Sequence, residues 1–203
     1  MTRVAGLTAG GAVWLSVLLV AALGSWAERV TSLATDEHSS TSVSGRGSPD
    51  ELLQFYIDAQ ESKDISMYQQ ALHRQYQYWL DPETADSLGW RPEKARLSRR
   101  VDVCLAEELF CNPAVGKIRM QLLPLTGWQS CVAVVPGEFG RDEAFQGMQI
   151  TVNPIIDIET VGSGGATTVT EVNRSYMHFI VVPDVEVPGA WLILQVKEVL
   201  QSD

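Results

Sequence analysis

The last long run of this chain, Arg174 to Leu200, restricts its fold more than any other stretch. Arg174-Ser175-Tyr176-Met177-His178-Phe179-Ile180-Val181-Val182 is rich in β-branched and aromatic side chains, and so is Ala190-Trp191-Leu192-Ile193-Leu194-Gln195-Val196-Lys197-Glu198-Val199-Leu200. Between them Pro183 to Gly189 supplies a proline- and glycine-bearing turn. Two such runs around a turn predict an antiparallel strand pair. The pair presents an apolar face, and the earlier part of the chain must supply the helices and strands that cover it.

The other end of the chain reads differently. Val4 to Ala27 carries no charge and as a helix would be roughly 36 Å long, more than the thickness of a hydrocarbon core. Its most apolar part, Ala12 to Leu23, has the size of a signal-peptide centre, and Ser25-Trp26-Ala27 resembles a cleavage site. Residues 1–30 are therefore read as a signal peptide or a single membrane anchor, and either places the rest outside the cytoplasm, in the cell envelope or beyond. No cysteine follows the apolar run, which excludes a bacterial lipoprotein anchor. Residues 31–47, rich in Ser and Thr, form a flexible linker. The remainder, 48–203, is long enough to bury its own core. The chain's net charge of −10 argues against nucleic acid or an anionic membrane surface as a partner.

Within 48–203 the order of elements is legible. Ser48-Pro49-Asp50-Glu51 is a helix start with a capping box, and Leu52, Leu53, Tyr56, Ile57 and Gln60 fall on one face of the helix it opens. Asp64 caps a second short helix through Ile65, Tyr68 and Leu72. Tyr76, Tyr78 and Leu80 alternate with Gln75, Gln77 and Trp79, predicting a strand that Asp81-Pro82 ends. A third helix is expected from Pro92 through Ala95, Leu97, Val101, Cys104, Leu105 and Leu109, stopped by Asn112-Pro113. Strands come next through Ile118-Met120-Leu122, Trp128 to Val135, and Met148-Ile150-Val152, with an exposed loop from Pro136 to Gln146 and Pro154 at an edge or bulge. Gly162-Ser163-Gly164-Gly165 is a hairpin turn leading to Thr168, Thr170 and Val172. The fold class is α+β: helices on an antiparallel sheet, preceded by one apolar N-terminal helix.

Three stretches, Ser48-Pro49-Asp50-Glu51-Leu52-Leu53-Gln54-Phe55-Tyr56, Tyr76-Gln77-Tyr78-Trp79-Leu80-Asp81-Pro82 and Ala190-Trp191-Leu192-Ile193-Leu194, resemble the first helix, first strand and closing strand of the nuclear transport factor 2-like superfamily, which includes SnoaL-like and ketosteroid-isomerase-like proteins. The resemblance covers about Ser48 to Leu200 and implies a cystatin-like cone, a curved antiparallel sheet wrapped around the long first helix. Trp128 to Gln146 departs from its simplest members.

Candidate chemistry is sparse. His38, His73 and His178 are not clustered at ligand spacing, so no metal or other cofactor is expected. Cys104 and Cys111 can bridge only if the third helix ends before Cys111; pairing with Cys131, or no bridge at all, stays open. Asn173-Arg174-Ser175 fits a glycosylation acceptor inside a strand. The resemblance implies an acid–base site inside the cone, with Asp81, His178 and Tyr56 as catalytic candidates. Yet Tyr176-Met177-His178-Phe179-Ile180 lacks the late-strand Asp of the isomerases. Tyr56, Tyr76, Tyr78, Trp79, Trp90 and Trp191 are the aromatic candidates for lining a ligand pocket. The leading expectation is a non-catalytic domain that binds a small apolar ligand or a protein partner, with a homodimer through the sheet face among its associations. The alternatives are a small isomerase or lyase, and a membrane-anchored subunit of an envelope assembly.

Overall fold

The computed structural model describes residues 45–87, 95–136, 142–162, 165–172 and 175–200. The N-terminal segment and most of the linker, Trp90 with the helix start expected at Pro92, residues 137–141, Ser163-Gly164 and Asn173-Arg174 lie outside them. Among the described residues no helix is long and apolar enough to cross a membrane.

Helix α1 spans Pro49–Ser62. The Ser48 hydroxyl accepts from the Glu51 amide at 3.2 Å, and the Glu51 carboxylate reaches one residue past the cap to accept from the Gly47 amide at 2.9 Å. The first of these bonds satisfies a donor that a helix start leaves unpaired. The face read from the sequence is the buried one: Leu52, Leu53, Tyr56, Ala59 and Gln60. Helix α2, Ile65–Ala71, begins where the Asp64 carboxylate accepts from the Ser66 and Met67 amides at 2.9 and 3.0 Å. It runs straight into strand β1, Leu72–Trp79, and a short helix α3, Pro82–Ser87, comes after Asp81.

The third expected helix starts later than its spacing suggests. Arg96–Ser98 is instead a short strand, β2, paired antiparallel with β1, and α4 begins at Arg99 and runs through Cys111. Leu97 is buried as a strand residue opposite Tyr78, which outweighs its place in the helical pattern. Because α4 is continuous from Cys104 to Cys111, the condition for a bridge between them fails. Their Cα atoms lie about 10 Å apart along the helix, and both thiols are free and exposed. Cys131 is free as well.

Strands β3 (Val115–Pro124), β4 (Gln129–Pro136), β5 (Asp142–Val161), β6 (Thr167–Val172), β7 (Ser175–Pro183) and β8 (Trp191–Leu200) complete the sheet. Asp142 to Gln146, expected as loop, is the first part of β5. Its sequence holds little apolar alternation, and pairing with β4 makes it a strand. The sheet order is β2-β1-β8-β7-β5-β3, with β4 and β6 also paired to β5. The C-terminal hairpin β7–β8 is antiparallel as predicted. The sheet as a whole is mixed rather than antiparallel, because β8 lies parallel to β1 on its other side. The long connection between β1 and β8 permits that pairing. The result is a curled sheet with helices against its inner face.

The 20-residue β5 is the spine of the sheet. One of its edges takes β4 and then β3; the other takes β7 as far as Val152 and β6 from Ile156. Pro154, which has no amide hydrogen to give, falls where that second edge changes partner. Ile150, Val152, Ile156 and Ile158 of β5 join Met177, Phe179 and Val181 of β7 in the main core under the helices. Ile180 and Val182, pointing the other way, join Ala133, Val135 and Leu194 in a second core. The far end of the β4–β5 hairpin is therefore an arm folded over the back of the sheet. Gly147 is the hinge of that crossing, with a Cβ there only 2.3 Å from the Val181 carbonyl oxygen.

The last residues assigned to the linker also belong to the folded unit. The Arg46 carbonyl accepts from the Trp191 amide at 2.9 Å, its guanidinium donates to the Gln70 carbonyl, and it lies 5.7 Å from the centre of the Phe55 ring. The ordered domain thus takes in Gly45 to Gly47.

Candidate functional site

The inner face carries more polar chemistry than a core needs. Tyr56 and Gln60, one turn apart on α1, both face inward and are buried. Tyr68 reaches in from α2, Tyr76 and Tyr78 from alternate positions on β1, Asp102 from α4 and Glu198 from β8. Phe179 and Phe110 frame the group. The Tyr56 ring lies 5.5 Å from Tyr68 and 5.9 Å from Phe179, and the Tyr68 ring lies 5.9 Å from Phe110.

Two carboxyl groups organise this interior. The Tyr68 hydroxyl donates to Asp102 Oδ2 at 2.6 Å. Burial pushes the Asp102 carboxyl up to about 6, and the Tyr68 and Tyr76 hydroxyls oppose that rise. Tyr76 stands close enough to act on the carboxylate but makes no hydrogen bond of good geometry. The second carboxyl is Glu198. The Tyr78 hydroxyl donates to its Oε1 at 2.6 Å and the Asp81 amide donates to its Oε2 at 3.3 Å. Burial pushes Glu198 up to about 8; the Tyr78 hydroxyl opposes, and the neighbouring Asp81 carboxyl adds to the rise. At neutral pH Glu198 is thus a neutral acid and Asp102 is largely a carboxylate. Tyr56, Tyr68, Tyr76 and Tyr78 are all held protonated by burial first, with the nearby carboxyls adding to it.

Two polar atoms in this interior make no hydrogen bond of good geometry: Gln60 Oε1 and the Tyr76 hydroxyl, the latter beside Asp102. Both residues are only 1% exposed. A buried acceptor and a buried hydroxyl left open beside a carboxylate are where a guest molecule would find hydrogen bonds.

The residues read from the sequence are partly brought together. Tyr56, Tyr76 and Tyr78 face the interior, and Asp81 closes one end of it against Glu198. Trp79 does not: it lies on the back of the sheet, with the Arg96 and Lys197 cations 5.4 and 5.7 Å from its ring centre. His178 is on the back as well, since Met177 and Phe179 take the inner positions; its Nδ1 meets the Thr151 hydroxyl at 3.0 Å. Burial lowers its pKa, and Lys197 lowers it further. Asp81, His178 and Tyr56 therefore do not form one site. Trp191, half-buried at the start of β8, packs at the margin of the main core. Among the described residues no three His, Cys, Asp or Glu side chains converge as metal ligands.

Sequence reasoning misses Asp102, Tyr68 and Glu198 as site residues, although the two acids leave a trace. Asp102 occupies the apolar stripe of α4 with Leu105, Ala106 and Leu109, and Glu198 comes two residues after Val196 on the inner face of β8. An acid in a buried stripe is the signal that a scan for motifs overlooks.

No family model and no curated protein matches this chain. Among solved structures it is similar to ActVI-ORFA from Streptomyces coelicolor, with 11% identity over 75% of this chain and 96% of that one and a TM-score of 0.44. It is also similar to a nuclear transport factor 2-like superfamily protein from Salmonella enterica serovar Typhimurium, with 10% identity over 75% and 88% and a TM-score of 0.45. A third likeness is to the CaMKII hub of S. rosetta, with 14% identity over 74% and 92% and a TM-score of 0.42. These are likenesses of fold alone, each with a TM-score below 0.5.

Proposed function

We propose that the cone interior binds a small, uncharged, mostly apolar molecule bearing a carbonyl oxygen, and that Asp102 moves a proton on it, as in an isomerase. The observation that carries this reading is the Asp102 carboxyl, buried among Tyr56, Tyr68 and Tyr76 with its pKa pushed up to about 6. A base poised there is matched to neutral pH. In the step, the carboxylate takes a proton from the carbon beside the carbonyl and the bond electrons move onto the oxygen. A tyrosine hydroxyl hydrogen-bonds to the developing enolate, and the proton returns to the same or a conjugated carbon. Glu198, neutral and hydrogen-bonded to Tyr78, adds no charge of its own to the far end of the interior. An anionic guest would meet the Asp102 charge with no cation from this cluster to offset it.

The test is deuterium uptake from heavy water next to the carbonyl of a cyclic ketone, monitored by NMR. The rate is expected to rise with pH through about 6, as Asp102 loses its proton, and to fall at least ~100-fold in Asp102→Asn. Quenching of intrinsic fluorescence by the same ketone separates binding from chemistry. If both proteins bind it and neither exchanges protons, the catalytic step is wrong and a non-catalytic binding domain is left. The same proposal puts the domain outside the cytoplasm, on the strength of the uncharged segment Val4 to Ala27. N-terminal sequencing of the mature protein would show whether that segment is removed.

A further inference from the structure

The back of the sheet carries a row of hydrogen-bond donors that the interior site does not use. Strand register sets Arg96 of β2 beside Trp79 of β1, Trp79 beside Lys197 of β8, Lys197 beside His178 of β7, and His178 beside Thr151 of β5. Arg96 and Lys197 stand one strand either side of Trp79, with backbones about 10 Å apart, and both reach its ring. That contact holds each cation in place without neutralising it, because the indole carries no net charge. Among the described residues no carboxylate pairs with either cation, and neither side chain donates a hydrogen bond. The Trp79 indole nitrogen is buried and donates to nothing. His178 is engaged at Nδ1 by the Thr151 hydroxyl, so Nε2 is the ring nitrogen left open. The flanking positions on the same face, Gln77, Gln195 and Gln149 along one side and Tyr176 and Val199 along the other, add no acid. The row is therefore rich in donors and cations and has no acceptor to match them, on a chain whose net charge is −10.

We propose that this row binds a small free molecule with two linked oxyanion groups, such as a diphosphate, with Arg96 and Lys197 as its charge partners and His178 as a further donor. Oxyanion oxygens accept hydrogen bonds without donating any, which is what the row lacks. Two linked groups suit it because the cations are separated by the width of Trp79. The surrounding charge sets the size of the occupant. At 0.1 M salt, charges more than about 10 Å away are largely screened, so a small anion answers to the row itself. An anionic membrane or a nucleic acid would also lie against the acidic remainder of the surface. The site is separate from the interior, since Tyr78, Val196 and Phe179, the strand neighbours of Trp79, Lys197 and His178, point into the main core on the opposite face.

Isothermal titration calorimetry of the full chain with inorganic pyrophosphate at about 0.1 M salt tests this. The wild type is expected to bind one equivalent with a Kd below ~1 mM, and Arg96→Gln and Lys197→Gln each to weaken it at least ~10-fold with thermal unfolding unchanged. Lys117→Gln, which removes a cation set opposite Glu159 on the β3–β5 ladder, is expected to bind as the wild type does. The His178 ring protons should shift in the NMR spectrum of the wild type on adding pyrophosphate, and stay in place in Lys197→Gln. A Kd above ~1 mM, or one that Arg96→Gln and Lys197→Gln leave unchanged, would mean an adventitious ion only. Binding to phosphatidylglycerol vesicles without binding to pyrophosphate would mean a membrane surface. Either result overturns the proposal.

Discussion

Replacing Glu198 with glutamine will make the protein more stable at pH 8 and leave it nearly unchanged at pH 5. The carboxyl titrates near 4.5 when exposed and near 8 in the fold. Between those values the folded chain holds a proton that the unfolded chain has released. Stability is therefore fully present below about 4.5 and is lost as pH rises toward 8, by about 1.4 kcal/mol per pH unit for one such proton. Asp102 acts in the same direction over a lower window, from 3.8 to about 6. The wild-type curve of stability against pH should then fall most steeply between about 4.5 and 6, where both protons count, and more gently from 6 to 8, where Glu198 acts alone. Glutamine keeps the shape, can accept from Tyr78 and never ionises. Allowing for water entering around a displaced carboxylate, the gain at pH 8 is about 2–4 kcal/mol. Urea denaturation at a series of pH values measures it. Parallel curves for the two proteins would show that Glu198 does not hold its proton in the fold.

That prediction could not have been drawn from the sequence, although the strand carrying Glu198 could. The runs around Pro183 to Gly189 specify β7 and β8 because β-branched and aromatic density is a local property. So is the cap at Ser48, where serine, proline and glutamate satisfy the first turn with groups adjacent in the chain. Where local and long-range demands disagree, the sequence misleads. Leu97 keeps helical spacing with Val101 and yet is buried as a strand residue against β1, while Val101 is 39% exposed. Reading the α4 face through Val101 hides the true stripe, which begins at Asp102. The site itself is assembled from α1, α2, α4, β1 and β8, so no short window contains it. Tyrosines at 56, 68 and 76 look like ordinary core aromatics until the fold puts one carboxyl among them.

Gly147 shows the same dependence on distant contacts, and its replacement by alanine should be the most damaging small change on the back of the sheet. The added Cβ would stand 2.3 Å from the Val181 carbonyl oxygen and 3.0 Å from Val182 Cγ1. The first of these is backbone inside the β5–β7 ladder, which continues from Met148 opposite Val181, so no flexible side chain can swing aside. Either β5 lifts from β7 or the arm lifts from the second core. Each loosens Ala133 and Val135 from Ile180, Val182 and Leu194. Overpacking of this kind typically costs about 1–3 kcal/mol, and contact with backbone places this case at the upper end, about 3 kcal/mol. Gly127→Ala is the control, since a Cβ there meets nothing within 4 Å. Chemical denaturation gives the loss, and hydrogen exchange should show it concentrated in β4 and the first residues of β5, with α1 and β8 still protected. An alanine variant within about 0.5 kcal/mol of the wild type would mean that the arm does not cross β7 at this distance.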